Sequence, residues 1–222
     1  MMSGVQINPD SVQLNPDNIM QHPKVWEEML HHYGYVMTNH VGDVQTNLGM
    51  FIQHFDDAHI KAQLHARYMT HDGSKWEADE FHPYVWRYWR TKWRSDGEVD
   101  KRFTEAFQSE AVHRYITKAV WHHVQHNRHH PEYHLDHDDM TQIDLIEMVC
   151  DWYAMSEELD SNIDDWVAYV VPRRYHFSAD KVATIHQLIE ILRQKKQEYA
   201  QMTDWITEMI DKQRQKDLEG EQ

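Results

Sequence analysis

The stretch DLIEMVCDWYAMSEE, residues 144–158, decides the fold class of this chain. Its apolar residues recur at spacings of three and four, which is the period of a helix, and no alternating run of β-branched residues crosses it. The same spacing continues along most of the chain, and only 7 Gly and 6 Pro interrupt its 222 residues. The sequence therefore predicts an all-α fold, in one domain with a substantial core.

The expected helices divide the chain into three parts. Gly34 is expected to end the first helix, because helices commonly end at a glycine. The parts are a lead-in with a short helix over residues 1–35, a helical domain over 36–177 and a long C-terminal helix over 178–222. Helices are expected near residues 24–33, 41–67, 77–94, 99–106, 109–127, 139–160 and 179–213.

The C-terminal helix carries a heptad-like seam of apolar residues with one polar break at Lys195. Two interpretations stay open: the helix packs on the core of the domain, or two copies of the chain associate through the seam. The seam consists of Ile185, Leu188, Leu192, Tyr199, Met202, Ile206 and Met209.

Composition excludes several classes of protein. The net charge of −15 argues against binding to a nucleic-acid duplex, because phosphate neutralisation needs clustered Lys and Arg. No apolar run is long enough to span a membrane, and the first residues lack the features of a signal peptide, so a cytoplasmic protein is expected. The single Cys150 excludes an intrachain disulfide and a Cys-rich zinc module. Any bound metal is therefore expected on His, Asp and Glu ligands.

The segment HHVQHNRHHPEYH, residues 122–134, holds six histidines. They cannot all be ligands, because a divalent ion takes about four to six donors and residues elsewhere supply some of them. Pro131 favours a helix that ends before it. His122 and His123 are interpreted as lying on the helix end and facing the metal. Asn127, His129 and His130 are expected to line the mouth of the pocket. His126 and His134 are expected to be exposed to solvent.

The doublet in HDGSK, residues 71–75, is a weak signal alone, because a surface His followed by a capping Asp is common in a His-rich chain. The doublet becomes a stronger indication of a metal site because His40 lies upstream of it and Asp151 lies downstream on an apolar helix. An ionised carboxylate there is costly unless a cation or a hydrogen-bond donor satisfies it. A metal ion would do so, and so would a Trp or Tyr donor. Asp144 and Glu147 are interpreted as supporting the ligands from behind or as solvated.

The ordered pattern of these residues resembles the HD-domain superfamily of metal-dependent phosphohydrolases. The segments THDGSKW, AVWHHVQHNRHHPEYH and IDLIEMVCDWYAMS look more closely like an uncharacterised bacterial and phage family of HD type, over residues 36–195. The resemblance implies an HD-domain-like helical bundle with a long amphipathic C-terminal helix. The metal ligands that it implies are His40, His71, Asp72 and Asp151, with His122 and His123 at a second metal position.

The resemblance also implies an activity, namely hydrolysis of a nucleotide or another small phosphate ester by metal-activated water. Lys75 corresponds to a basic residue that faces the substrate phosphate, with Asn127 and Arg128 as further substrate contacts. His129 or His130 would donate a proton to the leaving oxygen. The implied cofactor is one or two divalent ions, among Fe, Mn, Zn, Co and Ni, with Mg as a further option.

Two other functions stay open at this point. Some binuclear HD proteins use a mixed-valence di-iron pair for oxygen-dependent cleavage, and a His-rich ligand set would suit iron. A non-catalytic module that binds a nucleotide or a protein is the second alternative, because a fold does not determine its function. The expected partners are a small phosphorylated substrate and, through the C-terminal helix, a second copy of the chain. Neither a nucleic-acid duplex nor a membrane is expected.

Overall fold

The computed structural model describes residues 12–95 and 100–220 of the chain, and every regular element in these ranges is helical. This confirms the prediction of an all-α protein for the described residues. The α-helices are α1 (Pro23–His54), α2 (Ala58–Thr70), α3 (Ala78–Ser95), α4 (Thr104–Gln108), α5 (Glu110–His126), α6 (Gln142–Glu158), α7 (Ile163–Asp165), α8 (Val171–Arg174) and α9 (Ala179–Gly220). A π-helical turn spans Trp166–Val170, and 3₁₀ turns span Ile19–Gln21, Gly73–Trp76, Lys101–Phe103, Pro131–Tyr133 and His137–Asp139.

The expected helix boundaries between residues 24 and 67 are wrong, and the last helix extends to Gly220 rather than to residue 213. Gly34 lies inside α1, where Tyr33 and Met37 are buried in the core, and this packing outweighs the cost of about 1 kcal/mol for a glycine in a helix. The helix expected over 41–67 is interrupted after His54. Asp57 causes the restart at α2, because its carboxylate accepts hydrogen bonds from the first free backbone N–H groups. Residues 1–11 of the expected lead-in and residue 99 of the fourth helix lie outside the described residues.

The chain divides into two compact units, each built from two stretches of sequence. Unit 1 comprises Met1–Asp43 and Thr70–Leu135, and unit 2 comprises Val44–Met69 and Asp136–Gln222. This division concerns compactness and does not test the predicted boundaries at 35/36 and 177/178, which stay predictions.

Unit 1 has an aromatic core. Trp86 and Trp89 of the stretch WRYWRTKW are buried, and the ring of Phe103 lies 5.6 Å from Trp86 and 6.0 Å from Trp89. Helix α3 packs against α5 and against the 3₁₀ turn Gly73–Trp76. The tryptophans therefore fix α3 in the unit, and α3 in turn positions the residues that follow the His-Asp doublet.

Unit 2 is built around α6, which is buried over nearly its whole length and packs against α9. Thr141 and Asp144 form a capping box at its start. The guanidinium of Arg67 contacts the carboxylates of Asp144, at 2.8 Å, and Glu147, at 3.2 Å. Both carboxylates are buried, so the solvated alternative is wrong, and the alternative that they support the ligands from behind stays a prediction. The helical segment from Ile163 to Arg174 was not expected from the sequence.

Helix α9 divides into two halves with different surroundings. Ile185, Leu188 and Leu192 in the first half are buried in the core of unit 2. The apolar residues of the second half are 42–61% exposed. Packing on the core is thus confirmed for the first half of the seam alone. The exposed residues are Tyr199, Met202, Trp205, Ile206, Met209 and Ile210.

None of the helices within the described ranges combines the length and the apolar character that crossing a membrane requires.

Candidate metal centre

The His-Asp doublet lies in unit 1 at the turn between α2 and the 3₁₀ turn Gly73–Trp76. Asp72 has φ 56° and ψ 15°, in the left-handed region. Aspartate enters this region more readily than most residues do. A backbone held there by its surroundings is frequent at functional sites. The turn directs the Asp72 carboxylate into the interior, where its exposed fraction is 1%.

Four histidines surround this carboxylate. The Nε2 atoms of His123 and His129 lie 3.1 Å and 3.7 Å from Asp72 Oδ1. Those of His40 and His71 lie 3.4 Å and 3.7 Å from Oδ2. All five side chains are buried. The structure therefore brings together residues that the sequence places on α1, on the doublet and in the His-rich segment.

Among the described residues of unit 1, the donor atoms form two sets, each with its atoms within 4.8 Å of one another, and both sets contain Asp72. Asp72 Oδ1 and His123 Nε2 are shielded from solvent, and within the described residues neither makes a hydrogen bond of acceptable geometry. Two ligands at about 2.0–2.2 Å from one ion lie about 3 Å apart. These side chains could therefore hold a metal ion. The sets are Asp72, His123, His129 and His130, and His40, His71 and Asp72.

Lys75 is the nearest cation to the carboxylate. Its side chain is buried, Nζ contacts Asp72 Oδ2, and Nζ lies 5.4 Å from the centre of the Tyr84 ring. Burial alone would raise the pKa of Asp72, but the Lys75 ammonium and the His71 imidazole hold it well below its usual range. The carboxylate is therefore ionised, which is the form that binds a metal.

Glu80, in the first turn of α3, is a site residue that the sequence analysis missed. It is fully buried, and its Oε2 lies 2.9 Å from Nδ1 of His123 and accepts a hydrogen bond from the Ser74 hydroxyl. Burial would raise the pKa of Glu80, but His123 and His122 lower it. A carboxylate behind a histidine whose other nitrogen faces the ligand side is typical of metal sites. The feature of the sequence that could have identified Glu80 is its spacing of four from Tyr84, which lies on the buried face of α3.

His122 and His123 do not both face Asp72. Adjacent residues on a helix point in directions about 100° apart, so α5 can present only one of them to the carboxylate. His123 takes that position, and half-buried His122 places Nδ1 2.8 Å from Oε1 of Glu80. His122 belongs to neither donor set in the described residues. Its predicted role as a ligand stays a prediction without this support.

Asn127 directly follows α5, and its side chain connects this helix to the turn beside the site. Its Nδ2 donates to the Ser74 hydroxyl at 2.9 Å and to the His123 carbonyl at 2.8 Å. These contacts join α5 to the turn that carries Lys75. Its predicted role in substrate binding is untested, and the structure adds this positioning role.

The polar residues from His126 to His134 differ in burial. His129 is buried beside Asp72, whereas His130 is half-buried with its ring centre 4.2 Å from that of His129. Arg128 is half-buried, with its guanidinium 5.1 Å from the Tyr133 ring. The expectation of an exposed His126 is confirmed. His134 was also expected in solvent, which is wrong, because it is half-buried with Nε2 2.9 Å from the Arg128 carbonyl oxygen.

Asp151 lies on α6 in unit 2, with 8% of its surface exposed. The burial that made it a candidate is therefore present. Its role as a metal ligand stays a prediction.

The described residues thus form a helical fold, and unit 1 buries the Asp72 carboxylate among imidazoles, a set of side chains that could bind a metal ion. The chain belongs to the family described as "Family of unknown function (DUF5662)", whose model matches residues 27–212. Every predicted ligand falls within the matched range. Neither the curated proteins nor the solved structures contain a match to this chain.

Proposed function

We propose that this protein is a metal-dependent phosphohydrolase of HD type that acts on a nucleotide or another small phosphate ester. The observation that supports the proposal most is the buried Asp72 carboxylate with four imidazole Nε2 atoms at 3.1–3.7 Å. Imidazole and carboxylate together suit first-row transition metals better than Mg²⁺, which prefers oxygen ligands. The HD-like bundle is part of the same proposal.

The histidines are divided evenly between the two oxygens of Asp72, with His123 and His129 at Oδ1 and His40 and His71 at Oδ2. Such a division suits a carboxylate shared by two ions, and it favours two equivalents of metal over one. When bound, a divalent transition metal lowers the pKa of a bound water and polarises a phosphoryl oxygen. His123 is held for this task by Glu80, which fixes the orientation of its ring.

Two side chains are assigned to the substrate. The Lys75 ammonium neutralises charge on the non-bridging oxygens of the phosphoryl group as that charge increases in the transition state. His130 donates the proton to the leaving oxygen. His129 is assigned to the metal rather than to the leaving oxygen, because its Nε2 lies 3.7 Å from Asp72 Oδ1.

The test uses protein purified without an affinity tag and without added metal. Its metal content is measured first, and the protein is then assayed against a panel of nucleotides and simple phosphate esters with Mn²⁺, Fe²⁺, Co²⁺, Ni²⁺ and Zn²⁺. Metal-dependent release of phosphate or nucleoside is expected. A protein that holds two iron ions, consumes oxygen and hydrolyses no ester would contradict the proposal in favour of a di-iron oxygenase. If the protein contains no metal and binds a nucleotide without hydrolysing it, the result would favour a non-catalytic binding module.

Lys75→Met is expected to retain metal and to lose turnover on an accepted ester by about 10²-fold, about 2.7 kcal/mol. Methionine keeps the apolar stem in its buried place and removes the ammonium from Asp72. Metal affinity should be kept or should rise, because a cation that competes for the carboxylate is removed. Lys118→Met, at an exposed position of α5, is the matched control and should change neither quantity. Full turnover in Lys75→Met would disprove the phosphate role.

Glu80→Gln is expected to weaken metal binding by about 10- to 100-fold, because the carboxylate that orients His123 is lost. Affinity is measured by competition with a chromophoric chelator, and circular dichroism monitors the helix content. Glu77→Gln, three residues earlier and exposed, removes the same charge without touching a histidine. Equal affinities for the two variants would show that Glu80 does not support the site.

A further inference from the structure

The second half of α9 presents an apolar strip to solvent, which we call the distal seam and define as Tyr199, Met202, Ile206 and Met209. These residues follow the 3-4-3 spacing of a coiled-coil interface, and Trp205 and Ile210 flank them. All six side chains are 42–61% exposed. At about 100 Å² each they present on the order of 600 Å² of apolar surface. This equals the largest patch of a typical monomer and approaches the ~800 Å² that each partner contributes to a stable interface.

We propose that the distal seam binds the distal seam of a second copy of this chain, in antiparallel orientation. Antiparallel pairing places Tyr199 opposite Met209 of the second copy and Met202 opposite Ile206, so that all four layers are apolar. Lys195 then lies opposite Gln213, which closes the seam with polar residues at both ends. A shift by one heptad in either direction would bring Lys195 or Gln213 into the apolar layers, so the register is defined.

Charge favours the antiparallel orientation. Residues beside the seam select the orientation of coiled-coil helices. In the antiparallel pair Glu198 lies beside Lys212 of the second copy, and the two-fold axis repeats this contact once. In a parallel pair Glu198 would lie beside Thr203 and Trp205 beside Ile210, so that neither position gains an ion pair. Within one chain Glu198 contacts Lys195 and Lys212 contacts Glu208, but these pairs are exposed and contribute little.

The position of the seam also suits a second copy. The first half of α9 is buried in unit 2, which fixes the helix, and the exposed half continues it without interruption to Gly220. The family match extends to residue 212, so that it includes the whole distal seam and both members of the Glu198–Lys212 contact.

The first test is sedimentation equilibrium of the full chain over a series of micromolar concentrations. A reversible dimer is expected, with a dissociation constant on the order of micromolar for an interface at the small end of the range. Ile206→Glu should weaken it by at least about 100-fold, because it places a carboxylate in two of the four layers. Gln201→Glu adds the same charge at an exposed position outside the seam and should change the constant by less than about twofold.

The second test determines the orientation by charge exchange. Glu198→Lys and Lys212→Glu should each weaken the dimer by about tenfold, and the double variant should restore the affinity of the wild type. A chain that stays monomeric throughout the series overturns the proposal. So does a dimer that Ile206→Glu leaves unchanged, because its contact lies elsewhere. A dimer that Ile206→Glu breaks but that both charge variants leave unchanged overturns the antiparallel orientation.

Discussion

Replacing Asp72 with Asn is expected to lower both metal affinity and ester turnover by at least about 10³-fold, about 4 kcal/mol. The carboxylate is the one group common to both donor sets, and a neutral amide is a poor substitute for it. Asparagine is preferred to alanine here because it tolerates the left-handed backbone at this position and keeps the volume. Calorimetric titration with metal gives the affinity, and steady-state kinetics give the turnover.

The matched control is Asp79→Asn, which removes an exposed carboxylate from the first turn of α3. It should bind metal and turn over like the wild type. Circular dichroism should give the same helix content for both variants. Full metal occupancy in Asp72→Asn would contradict the assignment of the site.

Replacing Arg67 with Met is expected to lower the free energy of unfolding by about 3 kcal/mol. The guanidinium contacts two carboxylates, Asp144 and Glu147, that are almost completely buried. Its loss removes the cation from two buried charges, whereas methionine can replace much of the packing of the stem. Urea unfolding followed by circular dichroism measures the effect.

Arg193→Met provides the comparison, because Arg193 also contacts two carboxylates, Asp164 at 2.9 Å and Glu190 at 3.0 Å. These side chains are about half exposed, so the loss should be under about 1 kcal/mol. Equal losses for the two arginine variants would show that burial does not set the cost at Arg67.

The sequence predicted most of the helices, since their apolar spacing is regular. The starts of α3, α5 and α9 lie within one residue of expectation. The break between α1 and α2 was missed because Asp57 acts through a local hydrogen bond that periodicity does not reveal. The helix end predicted at Gly34 was wrong because the helix propensity of one glycine is worth only about 1 kcal/mol, less than the packing of the surrounding core residues.

The site was predicted in part. His40, His71, Asp72 and His123 lie together as the ordered pattern suggested. Glu80 was missed because an acidic residue in the first turn of a helix is ordinarily solvated and stabilises the helix dipole. Its burial depends on α5, which supplies the histidines that it contacts. Sequence spacing along one helix cannot report such a contact between helices.

The most direct test of the metal centre is X-ray absorption at the metal edge, on protein purified without an affinity tag. The predicted result is at least one equivalent of a first-row transition metal, with an imidazole shell at about 2.0–2.1 Å. The shell should be lost in Asp72→Asn and retained in Asp79→Asn. A protein that contains no metal, and gains none with imidazole ligands when Mn²⁺, Fe²⁺ or Zn²⁺ is supplied, would contradict it.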